Sequence, residues 1–489
     1  LNRLARALPA LALAAACASP APPKPIAAPA ITTAAPITPR VFRYDVTSTR
    51  EGDSLAVDAV LFAPSGGDFS LERGAPFASA MEVSTGGAFQ ALPAHRDGDD
   101  TVFRIPPCPL DGCRIRYRFA LAEAARRTGD IGCADTVSGG ILTSPSAWLL
   151  HPVDADAGQP FELRVVTPPG TTFVSGLLPA GDGPFALPPA VYRADVADLA
   201  NPAWAAIGSL HLLRVIVGAQ TIDAAVLPGP LAAQDDMLRA WIDDAARAVQ
   251  DYYGRASLRR VQVVIVPGRA TGMSFGRTLG NGGATIIAHV GAGSALADLT
   301  SGWELIHELL HVSFPKLSRE HAWLEEGMAT YVEPLLRARR GTITAAEAFA
   351  RFQQRMPFGL PVAGDQGLDH THTWGRTYWG GAIFCLLADI EIRERTGGRR
   401  SLDDALRAVL AQGGNVAERW EIERVLAVGD EATGVPVLQK LYAQMKDAPA
   451  PVDLVALWRR LGVVPKLDGV TFDDRAELAW IRRAMVAGR

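Results

Sequence analysis

Between Val41 and about Pro228 apolar and polar side chains alternate in short runs, as in Phe42-Arg43-Tyr44-Asp45-Val46 and Phe161-Glu162-Leu163-Arg164-Val165-Val166, and Gly and Pro break the runs repeatedly. A period of two belongs to strands, so this stretch is expected to be all-β, either one large sandwich or two smaller ones divided near Pro152. After Pro230 the period changes. Leu238, Trp241, Ile242, Ala245 and Val249 form a helical stripe that stops at Gly254. Val261 to Val266 then reads as a strand, the Gly-rich stretch up to Gly283 as a loop, and Ala284 to Val290 as a second strand. Helical patterns dominate from Thr300 to the C-terminus, and no internal repeat is visible.

The first seventeen residues follow another logic. Arg3 and Arg6 precede an apolar stretch from Ala7 to Ala16 that is too short to span a bilayer, which is the layout of an export signal. The stretch closes with Leu13-Ala14-Ala15-Ala16-Cys17, which resembles the lipobox of bacterial lipoproteins with its large aliphatic residue one place early. Lipid attachment at Cys17 and ordinary cleavage among the small residues Ala14 to Ala18 both fit this segment. From Ala18 to Arg40 the composition collapses to Ala, Pro, Thr and Ile, which favours an extended tether. The expected location is therefore the exported side of a bacterial envelope, held by a lipid anchor, with a periplasmic or secreted form as the alternative.

Apolar residues make up 48% of the chain, enough for packed cores. Lys and Arg number 48 against 52 Asp and Glu, with no basic run, so a nucleic-acid partner is not expected. Cys108, Cys113 and Cys133 lie close together, and in an exported protein one disulfide among them is expected, with the pair left open.

Chemistry concentrates after Thr300. His307-Glu308-Leu309-Leu310-His311 is an HExxH motif among good helix formers. Positions four apart share a helix face, so two imidazoles reach one ion while Glu308 projects beside it as a general base. Zinc accepts neutral imidazole nitrogen, and the pair leaves room for a third ligand and a water. The segment Trp323-Leu324-Glu325-Glu326-Gly327-Met328-Ala329-Thr330-Tyr331-Val332-Glu333 resembles the second ligand helix of gluzincin peptidases, the aminopeptidase N and glycyl aminopeptidase families among them. The resemblance maps the third ligand onto Glu326, with one zinc per chain. Glu325, about 100° away around the helix, is the competitor. Arg376-Thr377-Tyr378-Trp379-Gly380 is similar to a Tyr-x-x-Gly segment of the same families, which implies that the Tyr378 hydroxyl stabilises the tetrahedral intermediate.

The resemblance covers residues 231 to 410 well and implies peptide-bond hydrolysis by a metal-activated water, with a peptide or protein as substrate. The implied fold is multidomain: an N-terminal all-β region, an α+β thermolysin-like zinc peptidase domain and a helical C-terminal part. The expected division is 1–17 signal, 18–40 tether, 41–228 β region, 229–350 zinc-binding domain and 351–489 helical part carrying Tyr378. A non-catalytic cell-surface binding protein stabilised by zinc and a zinc hydrolase of a non-peptide substrate are the alternatives.

Several polar residues stay open. Glu304 and Glu333 lie one and two turns from ligands, where an orienting role and a solvated helix face fit equally. His370 and His372 precede Tyr378 in a Gly-rich loop and are candidates to line the cleft, and His289 is a weaker one. In the aminopeptidase N family a carboxylate on the strand before the zinc helix grips the substrate's free amino group. The stretch read as its counterpart, Gly280 to His289, has none, nor does any residue from Ala270 to Ala297. Recognition is therefore expected to be endopeptidase-like unless Glu325, Asp365 or Asp369 supplies that carboxylate.

Overall fold

The computed structural model describes residues 40–49, 53–130, 132–155, 157–181 and 190–487. The signal, almost all of the tether and Cys17 lie outside them. Three parts follow one another: a strand-rich N-terminal region, a mixed α/β middle and a helical C-terminal region.

In the first part, alternation does what it predicts. Phe42–Ser48 buries every second residue, and Tyr44 inside donates its hydroxyl to the Leu150 carbonyl at 2.7 Å. This strand pairs antiparallel with Leu55–Leu61 and parallel with Pro160–Val166, all within one seven-stranded sheet. The division expected near Pro152 is not there, because strands from both sides of it share that sheet and one core that includes Trp148, Leu163 and Phe173. A short helix, Leu121–Thr128, interrupts the all-β pattern. Cys108 is bonded to Cys113, and Cys133 is a buried free thiol.

The middle sheet has five strands in the order His211–Val217, Gln220–Val226, Arg260–Gly268, Thr285–Gly291 and Met273–Leu279. Its first two strands precede the boundary expected at 228. Alternation reports that a segment is a strand and not which sheet it joins, so the change of period at Pro230 marks the covering helix, not the start of the sheet. That helix, Asp235–Tyr253, buries the Leu238, Trp241, Ile242, Ala245 and Val249 stripe and ends at Gly254 with φ 72°.

A second difference matters more for function. Residues 273–279, expected as loop, form the outer strand of this sheet, hereafter the edge strand. Gly272, Gly276 and Gly280 mask its alternation. The turn that follows carries positive φ at Asn281, Gly282 and Gly283, and it is bonded on two sides. Ala203 N–H donates to the Asn281 carbonyl and Ala284 N–H to the Gly176 carbonyl, both from the β region, while Asn281 N–H donates to the Val416 carbonyl of the helical part.

The HExxH helix, Glu304–Val312, lies against the edge strand, and Ala322–Arg340 follows it. The latter crosses Gly381–Thr396 so closely that a Cβ on Gly327 would sit 2.3 Å from Gly381 Cα. One hydrophobic core runs from Leu213 to Met485, so no core boundary falls at 350. The helical region also holds a small hairpin, Val463–Lys466 with Gly469–Phe472.

Candidate metal centre

The helical spacing of His307 and His311 brings their Nε2 atoms to 3.2 Å, and the neighbouring helix brings Glu326 Oε2 to 3.3 Å from each. Tetrahedral zinc with bonds of about 2.0–2.1 Å separates its ligand atoms by roughly 3.3 Å, so this triangle fits the ion. Among the described residues it is the one cluster of three such groups. Burial alone would push the His311 imidazole down, but the Glu326 carboxylate, helped by Glu308 and Glu325, raises it to about 9. Burial would likewise raise Glu326, and the two imidazoles instead hold it far below the usual carboxylate range.

Glu325, the competing ligand, turns away as the helix geometry requires. Its carboxylate meets Lys316 Nζ at 2.5 Å and accepts from Leu317 N–H at 2.9 Å.

Glu308 is buried beside the triangle, and the edge strand holds it. Thr278 Oγ lies 2.7 Å from its carboxylate and 3.0 Å from its carbonyl. Gly276, two residues earlier, has no room for a side chain, since a Cβ there would lie 2.6 Å from the Glu308 carboxylate. Neither residue emerged from the sequence; the missed alternation of the edge strand was the available signal.

Tyr378 reaches the site from a π-helical turn, Gly375–Gly380. Its ring lies nearly parallel to that of His307 with centroids 6.5 Å apart. Burial, then the negative charges of Glu326 and Glu308 and a hydrogen bond to Glu326, raise the phenol well above its ordinary value, so it stays protonated at any ordinary pH.

The remaining candidates have other partners. Glu304 lines the cleft and accepts from Trp303 N–H at 2.9 Å at its own helix start, and burial raises its carboxyl. Glu333 is fully buried between Arg337 at 3.1 Å and Arg351 at 2.9 Å. Neither bonds His307 Nδ1, which is buried with no partner among the described residues; of the readings left open, Glu304 holds a backbone N–H and Glu333 is not on a solvated face. His370 pairs with Asp447 at 3.0 Å on the surface, and His372 is exposed on the same loop; neither lines the cleft. His289 packs edge-on against Phe275. Asp365 is held by Arg376 at 2.7 Å, and Asp369 by Trp323 Nε1 and the Tyr442 hydroxyl, each at 2.8 Å. The strand against the HExxH helix is Met273–Leu279, so the counterpart sought at Gly280 to His289 is instead the turn and an inner strand.

The cleft has two lobes that meet at His307, Glu308 and Tyr378. One of about 670 Å³ is walled by Trp303, Trp374 and Trp379, and the other of about 370 Å³ includes Arg277, Lys316 and Glu325. Asn201 of the β region contributes to the second.

No family model matches the chain, and no curated protein matches it. Solved structures do. An aminopeptidase N family protein from Idiomarina loihiensis aligns over 87% of this chain and 80% of its own with a TM-score of 0.64 at 14% identity. An M1 zinc metallopeptidase from Deinococcus radiodurans aligns over 85% and 95% with a TM-score of 0.52 at 17% identity. A mutant of the Deinococcus protein bound to a Tyr-Ser-Ala substrate aligns over 85% and 96% with a TM-score of 0.53 at 16% identity. The chain therefore has the multidomain fold of these gluzincin-type, aminopeptidase-like metallopeptidases.

Proposed function

We propose that this chain is a zinc-dependent peptidase of the gluzincin type, related in its chemistry to the aminopeptidase N and glycyl aminopeptidase groups. The observation that carries the reading is the combination of a three-ligand triangle, a separately held carboxylate at Glu308 and a protonated phenol at Tyr378, all facing one open cleft. A structural zinc site would be closed by a fourth protein ligand and would need neither of the other two groups. The solved structures of the same fold support the reading, and one of them holds a bound peptide substrate.

His307, His311 and Glu326 would hold the ion. Zinc there would supply polarisation of the scissile carbonyl and acidification of a water to a pKa of about 7. Glu308 takes the proton of the attacking water and returns it to the departing amine. Thr278 fixes the carboxylate for that transfer, donating to one of its oxygens. Tyr378 exchanges its hydrogen bond with Glu326 for one to the developing oxyanion, which favours the transition state over the ground state.

Two measurements test this. Purified protein should carry about one zinc per chain and lose it in His311→Ala. Glu308→Gln should fold and keep its zinc while hydrolysis falls by about 10²–10⁴. Activity of Glu308→Gln within tenfold of wild type would sink the assignment of the base.

A further inference from the structure

We infer that the cleft selects internal peptide bonds preceded by an acidic residue, read by Arg277 of the edge strand. This rests on the peptidase reading above and adds the class of substrate.

The smaller lobe contains three carboxylates, and each is already engaged. Glu326 lies between two imidazoles, Glu308 accepts from Thr278, and Glu325 is paired with Lys316 and bonded to Leu317 N–H. Asp365 and Asp369, the other acids near enough in sequence to matter, are buried in contacts of their own. No carboxylate in this lobe is left to grip a substrate's terminal ammonium. One cation is left over. Arg277 lines the lobe, is exposed, and makes no ion pair or hydrogen bond among the described residues. Its charge is felt at Tyr378.

The larger lobe offers no such bias. Arg351 is tied to Glu333, and Arg355 shares its wall with two carboxylates, Glu304 and Glu347. Its walls are aromatic and suit a bulky apolar side chain.

The edge strand gives the direction. It ends the five-stranded sheet and already pairs antiparallel with Thr285–Gly291. A substrate strand added antiparallel on its free side, the more stable pairing, runs opposite to it. The N-terminal half of the substrate then lies beside Arg277, and the C-terminal half lies beside Ser274 and the aromatic lobe. A carboxylate just before the scissile bond meets an unpaired guanidinium, and an ammonium there meets repulsion. Because Arg277 is exposed, the selectivity is moderate and falls as salt rises.

The test uses the zinc-loaded full chain and N-acetylated, C-amidated peptides carrying Glu, Gln or Lys immediately before the cleaved bond, with a second set varied immediately after it. Cleaved bonds are mapped by mass spectrometry. Wild type should cleave the Glu peptide about tenfold better than the Lys peptide in kcat/KM. Arg277→Gln should bring that ratio to within about twofold, and Arg277→Glu should invert it. In the Glu308→Gln background, calorimetric titration should show the same order for binding alone. A wild-type ratio within twofold, an Arg277→Gln ratio unchanged, or selectivity only after the bond would overturn the inference while leaving the peptidase reading intact. If no peptide is cleaved and none binds, both fall.

Discussion

Thr278 has one hydroxyl hydrogen and two acceptors in reach, the carboxylate and the carbonyl of Glu308. Removing the hydroxyl frees the base without touching the triangle. Thr278→Val should lower kcat by about tenfold or more with little change in KM, because a 1 Å displacement of a reacting group is costly. Thr278→Ser should restore it; equal loss in both variants would point to packing and not to the hydroxyl. His311 gives a second test. In the metal-free protein its imidazole titrates at about 9 against about 6.5 in an unfolded chain. The ion pair with Glu326 therefore stabilises the metal-free fold fully below pH 6.5 and less as pH rises through 9. Zinc needs the neutral ring, so its affinity rises over the same interval. Calorimetric zinc titrations at pH 7.5 in buffers of different ionisation enthalpy should report release of about one proton; none released would mean that His311 is neutral beforehand. The triangle itself was legible in the chain: helix spacing pairs His307 with His311, and the resemblance of the following helix to the gluzincin peptidases maps the third ligand onto Glu326. The engagements of Asp365, Asp369 and Glu304 were not, because each depends on a partner eleven or more residues away or on a helix start that no pattern marks; of the two arginines on Glu333, Arg337 lies one helical turn on and only Arg351 is remote.

At the scale of elements, the least legible piece of the chain is the one nearest the chemistry. The edge strand presents Ser274, Phe275 and Arg277 to solvent and spends Gly276 on contact with Glu308, so its sequence carries little of the apolar alternation that identifies a strand. The long helices, by contrast, were readable: Asp235–Tyr253 buries one stripe, while Ala322–Arg340 and Gly381–Thr396 are runs of helix formers buried nearly all round. Where two of them cross, glycine is again required by space. Gly327 follows Glu326 directly and lies against the Gly381 backbone. Gly327→Ala should destabilise the protein by at least about 1–3 kcal/mol in denaturant unfolding and weaken zinc retention, as the helices part and carry Glu326 with them. Unchanged stability would mean that the crossing relaxes without cost. The π-helical turn under Tyr378 belongs to the same scale: π turns are rare, occur mostly as single turns in α-helices, and are frequent at functional sites.

For the whole molecule, the order of regions along the chain was legible and their borders were not, since strands 211–226 join a sheet whose other members lie beyond the covering helix. The export signal and Cys17 remain expectations at this scale. If Cys17 bears lipid, the wild type should sediment with membranes and Cys17→Ser should leave them; identical fractionation would favour ordinary cleavage. The turn at 281–284 has a consequence for synthesis. Its backbone is fastened to residue 176, to residue 203 and to residue 416, so the end of the edge strand acquires its last partner only when more than four-fifths of the chain exists. A ribosome-bound chain that has already emerged through Tyr378 still has the turn after that strand fastened to the β region alone. The turn behind the proposed site is thus completed only when the C-terminal helices have been made.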